Sequence, residues 1–145
     1  MARVELELPA KFMFRTEIPV RISDINYGNH LGNDAVLSII HEARLQFLKQ
    51  YGFKESDIGG TGMIMVDSVI VYLSQAFYGD VLAIDVTVAD LNKYGFDLLY
   101  RITNVTTGKE VVRAKTGMLA FDYTKNRVAS VPQAFKDITA SKTKP

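Results

Sequence analysis

The chain has no cysteine, only two histidines (His30 and His41) and almost no imbalance of charge. Each shortage closes a class of function. Without cysteine there are no disulfides, no thiolate nucleophile and no Cys-ligated zinc, which fits a reducing compartment. Two histidines with no His-Glu-x-x-His run leave no obvious metal cluster. With 17 Lys+Arg against 16 Asp+Glu, the formal net charge is +1, so the basic excess of a nucleic-acid binder is missing. No apolar run approaches the length needed to span a bilayer. The first residues, Met1-Ala2-Arg3-Val4-Glu5-Leu6-Glu7, alternate apolar and charged types, unlike the apolar core of a signal peptide. The expectation is a cytoplasmic protein without nucleic-acid or membrane partners.

What is present suits one domain over 1–145. At 145 residues and 48% hydrophobic content, a chain can build a core without staples. A strand is expected over Phe12 to Ile22, followed by a turn-rich loop from Ser23 to Asn33. A helix follows from Asn33 or Asp34 to Tyr51, with Asn33 suited to the N-cap, Asp34 to the first turn and Gly52 to the stop. Ala35, Val36, Leu37, Ile39, Ile40, Ala43, Leu45, Phe47 and Leu48 make this helix apolar on most sides, which predicts that its surroundings enclose it. Met63 to Leu73 is a near-continuous apolar run, expected as a strand covered on both faces. Val81 to Leu91 and Phe96 to Thr103 alternate, and Val111 to Phe121 is the last long strand. Turns are expected at Tyr78-Gly79-Asp80, Lys93-Tyr94-Gly95 and Thr106 to Lys109. Pro132 opens a short helix through Ile138, and 140–145 read as a disordered tail. One buried helix with a meander of long antiparallel strands is an α+β layer. Its open face is not uniformly polar, which points to a second subunit as cover.

Ser23-Asp24-Ile25-Asn26, then His30-Leu31-Gly32-Asn33 and His41-Glu42-Ala43-Arg44 resemble the signature of 4-hydroxybenzoyl-CoA-type thioesterases. That signature runs Asp-x-Asp-x-x-Gly-His-x-Asn-Asn, then Tyr-Leu, then Glu-x-Ala-Arg. The spacing matches without a gap from Asp24 to Arg44. Tyr72-Leu73-Ser74-Gln75-Ala76-Phe77-Tyr78-Gly79-Asp80 is similar to the family's Tyr-Leu-x-Pro-Ala-x-Tyr-Gly-Asp segment. The resemblance covers nearly the whole chain and implies a hot-dog fold, a long antiparallel sheet wrapped around one central helix. It also implies hydrolysis of an acyl-CoA thioester by a homodimer or homotetramer (a dimer of dimers). No cofactor is implied, coenzyme A being part of the substrate.

The departures fall at the chemistry. The family's catalytic Asp position holds Asn26, its Gly-His pair is spread over Gly28-Asn29-His30, its first Asn is Gly32 and its helix Glu is His41, with Glu42 one residue on. Thioester hydrolysis needs an electrophilic grip on the carbonyl oxygen and a base for the attacking water. The resemblance assigns the grip to the backbone amide of Asn33 at the helix N-terminus. For water activation Asp24, Asn26, His30, Asp34, His41 and Glu42 are candidates. His30 comes first, because imidazole titrates nearest neutrality and lies in the loop. Asn26 can orient water but cannot take a proton, and Asp24 or Glu42 could orient His30. Asp24 and Asn26 have a plainer role as closers of loop hydrogen bonds. His41 and Arg44 read as partners in hydrogen bonds or ion pairs. Two other readings stay open. Asp24-x-Asn26…His30 echoes the Asp-x-Asn-Pro-x-His of enoyl-CoA hydratases, with its His one residue late. The loss of the usual Asp also admits a non-catalytic acyl-CoA-binding module.

Overall fold

The computed structural model describes residues 3–140. Six strands and two helices follow one another as β1 (Phe14–Pro19), α1 (Asn33–Gln50), β2 (Gly62–Tyr72), β3 (Val81–Ala89), β4 (Gly95–Asn104), β5 (Glu110–Asp122), β6 (Arg127–Val128) and α2 (Gln133–Ala140). All pairings are antiparallel in the order β1-β3-β4-β5-β2, with β6 added to β5. The α+β class and the single helix against a long sheet are as the sequence indicates. No helix of the described residues is long and apolar enough to cross a membrane.

Alternation along the strands decides the core. On β4, Phe96, Leu98, Tyr100 and Ile102 point inward, and on β5, Val112, Ala114, Met118 and Ala120 do the same. They meet Val36, Ile39, Ile40, Ala43, Phe47 and Leu48 of α1, which recur at the three- and four-residue spacing of one helix face. At the far end Phe135 of α2 stacks on Phe96, with centroids 4.4 Å apart.

One polar residue sits in this face. Arg44 is only 6% exposed. It donates from Nε to Glu55 Oε2 at 2.9 Å and from a guanidinium nitrogen to Tyr100 Oη at 3.2 Å. Tyr100 Oη also meets Thr116 Oγ1 at 2.9 Å, so α1 is keyed to β4 and β5 by a satisfied polar chain. His41 Nε2 lies 2.8 Å from Glu55 Oε1. Burial works to raise the Glu55 carboxyl, but the bonds from His41 and Arg44 outweigh it and hold the group below the ordinary carboxylate range. Burial likewise pushes the Tyr100 hydroxyl up.

Several expectations need correction. The first strand is shorter, because Val20 N–H turns to Asp80 O and Ile22–Asp24 coil into a 3-10 turn. Asn33 is not the N-cap: Gly32 is, at φ −77 and ψ 147, with no side-chain bond. Here the backbone caps itself, Gly32 O receiving Ala35 N–H at 3.1 Å while Gly32 N–H donates to Asp24 O at 3.0 Å. The helix is not enclosed, since Leu37 and Leu45 on its outer face are each 39% exposed. Nor is β2 covered on both faces. Residues 65–68 are exposed, because β2 pairs β5 on one side and, among the described residues, no strand on the other. The closing helix runs on to Ala140, so the expected tail begins inside α2, and its remainder, 141–145, lies outside the described residues.

The outer sheet face is charged and strapped. Arg101 and Arg113 each place Nε 2.9 Å from Glu110 Oε2, and Lys115 Nζ is 3.0 Å from Asp67 Oδ1. The segment before β1 crosses this face, with Phe12 under the Arg101 guanidinium at 5.3 Å and Leu6 O accepting from Arg113 at 3.1 Å.

The Arg44 key yields a test. Glu55→Gln should cost about 1–3 kcal/mol near neutral pH, the range for hydrogen bonds to charged groups. A depressed carboxyl stabilises the fold above its unfolded pKa, and that gain is lost as pH falls through the folded value. The gap between wild type and Glu55→Gln in denaturant unfolding should therefore close on acidification below about pH 4. A gap independent of pH would show that the carboxylate charge contributes nothing.

Candidate functional site at the amino end of the central helix

Residues 23–32 form a loop that closes on itself before α1. Asn26 N–H donates to His30 O at 3.0 Å, and Asn29 N–H returns to Asn26 O at 3.0 Å with Asn29 at φ 66. Asparagine tolerates that left-handed backbone better than most residues. The Asn26 side chain makes an Asx turn, Oδ1 accepting Gly28 N–H at 2.9 Å. Leu31 N–H donates to Ala76 O at 2.8 Å, tying the loop to the β2–β3 connection, and Tyr72 Oη donates to Asn33 O at 3.4 Å.

These bonds shape an open concavity of about 580 Å³ lined by Asn26, Tyr27, Gly28, His30, Asn33 and Asp34. His30 is half-buried. Its Nδ1 lies 3.2 Å from Leu31 O; a carbonyl only accepts, so in the neutral ring this contact favours the tautomer with the proton on Nδ1 and the lone pair on Nε2. Gly28 shows where that lone pair stands: a Cβ there would lie 3.2 Å from both His30 Nε2 and Asn26 Oδ1. The imidazole nitrogen and the amide therefore flank the same small space. Gly32 differs: a Cβ on it, at an ordinary φ of −77, would stand 2.5 Å from Asp34 Oδ1 and 3.4 Å from Asn26 Cβ, so a side chain there asks only the exposed Asp34 carboxylate to swing aside. Asn33 and Asp34 are exposed and line the concavity, and amides at these first helical positions lack intrahelical partners.

Of the candidates, the structure brings together Asn26, His30, Asn33 and Asp34, the last as the carboxylate among the lining residues. It does not bring in Asp24 or Glu42. Asp24 is 4% exposed and turned to Arg21, with Oδ2 accepting Arg21 N–H at 2.8 Å and Oδ1 meeting the guanidinium at 3.3 Å. Glu42 accepts from Gln46 Nε2 at 2.8 Å beside Glu17, Arg21 and Ser38, in a separate groove against β1. The expected carboxylate–imidazole pair is thus not formed; the Leu31 carbonyl holds the ring instead. His41 and Arg44 sit on Glu55, away from the concavity. Tyr27, fully exposed at the rim, was not among the candidates, though an aromatic in a polar loop is itself a signal. Among the described residues no group of three or more His, Asp or Glu could hold a metal ion.

Gly28→Ala is the sharpest probe of this geometry. The added methyl must part Asn26 Oδ1 from His30 Nε2 on an exposed loop, so stability should stay within about 0.5 kcal/mol. Turnover, measured as kcat/KM once a substrate is in hand, should fall about ten- to a hundred-fold, as for small misplacements of reacting groups. Wild-type turnover in a folded Gly28→Ala protein would separate this loop from the chemistry.

The family model of the thioesterase-like superfamily matches residues 20–138. Among solved structures, Slr0204, a 1,4-dihydroxy-2-naphthoyl-CoA thioesterase from Synechocystis, superposes with a TM-score of 0.81 at 21% identity, over 91% of this chain and 98% of its own. YbaW, a probable thioesterase from Escherichia coli, gives 0.75 at 21% identity, over 91% and 100%. SAV2348 from Staphylococcus aureus, in complex with CoA, gives 0.81 at 17% identity, over 95% and 87%. No curated protein sequence matches the chain. At such identities the structures establish the hot-dog fold, and the match over residues 20–138 establishes the family: this chain belongs to the thioesterase-like superfamily.

Proposed function

We propose that the protein hydrolyses an acyl-CoA thioester to the free acid and the thiol. The observation that carries this reading is the concavity at the amino end of α1, where His30 Nε2 and Asn26 flank one small space. Family membership narrows the chemistry to thioesters in general; the acyl-CoA and the residue roles are our reading.

The thioester carbonyl oxygen lies against the free amides of Asn33 and Asp34, where the helix dipole favours the charge that develops there. Water is held by the Asn26 amide nitrogen, whose partner oxygen is committed to Gly28. Water oxygen attacks the carbonyl carbon while His30 Nε2 takes the proton. The tetrahedral intermediate collapses, the C–S bond breaks, and the imidazolium returns the proton to the departing sulfur. Since the grip is backbone, it tolerates the side-chain departures at Gly32 and His41. Asp34 is the competing base. The acyl group runs toward the exposed Tyr72, Leu73 and Phe77, next to the bond between Leu31 and Ala76.

The same reading includes a homodimer joined through β2. Both sheet edges are open, but they differ. β1 is six residues long and carries Arg15, Glu17 and Pro19, the features that blunt an edge. β2 is eleven residues long, with one charge and no proline, and exposes Met65 and Val66. Such an edge is stable in water when it is paired. Among the described residues the outer face is charged and strapped by the segment before β1.

Thiol release from a panel of acyl- and aroyl-CoAs tests the activity. His30→Ala should lower kcat by about 10²–10⁴-fold, and Asp34→Asn should leave it within a few-fold. The reverse pattern would make Asp34 the base. Hydration of crotonyl-CoA without thiol release would favour a hydratase, and tight binding with neither product a non-catalytic module. Sedimentation at micromolar concentration should give a dimer; a monomer would remove the β2 pairing.

A further inference from the structure

Tyr78-Gly79-Asp80 closes as a turn, and the turn itself needs no carboxylate. Asp80 N–H donates to Phe77 O at 3.0 Å with Gly79 at φ 89, a backbone closure that favours glycine at its third position. The Asp80 carboxylate is committed elsewhere. Its Oδ2 accepts Phe77 N–H at 2.9 Å and Asn104 Nδ2–H at 2.8 Å. Asn104, the last residue of β4, is 1% exposed, and its Oδ1 accepts the amides of Thr106 and Thr107 at 2.9 and 3.3 Å. A buried amide bonded at both its oxygen and its nitrogen is a rigid point. The Asp80 turn is fastened to it.

Two chains of hydrogen bonds leave this turn and meet at Leu31. The first runs through the β2–β3 connection, where Ala76, next to Phe77, accepts Leu31 N–H at 2.8 Å. The second runs through Val20, just past β1, which donates to Asp80 O at 2.8 Å and accepts Gly79 N–H at 3.2 Å. Arg21 follows directly and caps the 3-10 turn, and Asp24 O at the end of that turn accepts Gly32 N–H at 3.0 Å. Leu31 C=O and Gly32 N–H share one planar peptide and point in opposite directions. The bond to Asp24 O therefore aims the Leu31 carbonyl, and the bond to Ala76 O sets the peptide on its other side. That carbonyl is the one 3.2 Å from His30 Nδ1.

We propose that Asp80 and Asn104 are positioning residues for the His30 imidazole, holding the Leu31 carbonyl against Nδ1 so that Nε2 faces the concavity with its lone pair. Neither residue lines the concavity; both act through the two peptides that flank Leu31. This positioning rests on His30 acting as the base, as proposed above, but the tautomer is readable without any substrate.

Nitrogen-15 NMR of the neutral imidazole distinguishes its two tautomers, and the His30→Ala spectrum identifies the His30 signals. Wild type should carry the proton on Nδ1. Asp80→Ala keeps the backbone closure of the turn and cuts the tie to Asn104, with circular dichroism to check folding. Its His30 signals should shift toward the Nε2-protonated form. Its kcat should fall about ten- to a hundred-fold, as for a small displacement of a reacting group by a remote change, with KM held within a few-fold. Asp80→Asn retains an oxygen that can accept both bonds, so it should recover the tautomer and kcat together. If Asp80→Ala does not fold, Asn104→Asp carries the same test, since it sets two carboxylates face to face. The loss should then reverse in the Asp80→Asn, Asn104→Asp double variant, which exchanges donor and acceptor. A merely structural role would lower stability and leave the folded variants with wild-type tautomer and kcat; that result, or a wild-type ring protonated on Nε2, would overturn the proposal. A tautomer that shifts in Asp80→Ala while wild type hydrolyses no acyl-CoA would leave the positioning standing and remove the activity. Turnover that requires His30 and is indifferent to Asp80 would remove the positioning alone.

Discussion

A buried guanidinium sets the geometry on which everything else depends. Arg44 lies in the apolar face of α1, where an unpaired charge would cost several kcal/mol. It is tolerated only in the position where Glu55 and Tyr100 both reach it. That requirement fixes the rotation of α1 against β4 and β5 more sharply than the greasy contacts around it, which would accept a small slide. With the rotation fixed, the first turn can open in one direction, toward the loop that precedes it.

The loop then does with backbone what other sites do with side chains. Asn26, Asn29, Leu31 and Gly32 spend their amides on fixed carbonyls, and the Leu31 carbonyl chooses the His30 tautomer. Gly28 keeps the space clear, since a Cβ there would stand 3.2 Å from both His30 Nε2 and Asn26 Oδ1. A site of this kind depends on chain path and not on any single carboxylate. That explains how Asn26 can stand where relatives of the same signature have Asp, with Asp24 turned inward to cap a 3-10 turn.

Much of the fold was legible, because periodicity reports burial directly. The alternation in β3 and β4 placed their inward faces correctly. The errors came where burial and pairing part company. The apolar run of β2 reads as a strand covered on both faces, but the same run can belong to an edge awaiting a second chain, and composition does not distinguish the two. Leu37 and Leu45 misled in the same way. At the site, spacing marked Asn26, His30 and Asn33 as neighbours. It could not show that Asp24 faces Arg21 or that Glu42, only two turns along the helix, looks toward β1. Side-chain direction in an irregular loop follows from hydrogen bonds between residues that no periodic rule connects.

The sequence by itself determined the class of fold and the family, because these follow from patterns local to a strand, a helix or a short motif. Only the tertiary structure decided which polar groups share a space, which tautomer the imidazole holds, and which sheet edge is left open. Those depend on contacts between segments far apart in the chain, such as Leu31 with Ala76 or Tyr72 with Asn33. Such contacts form only when the sheet has closed on the helix.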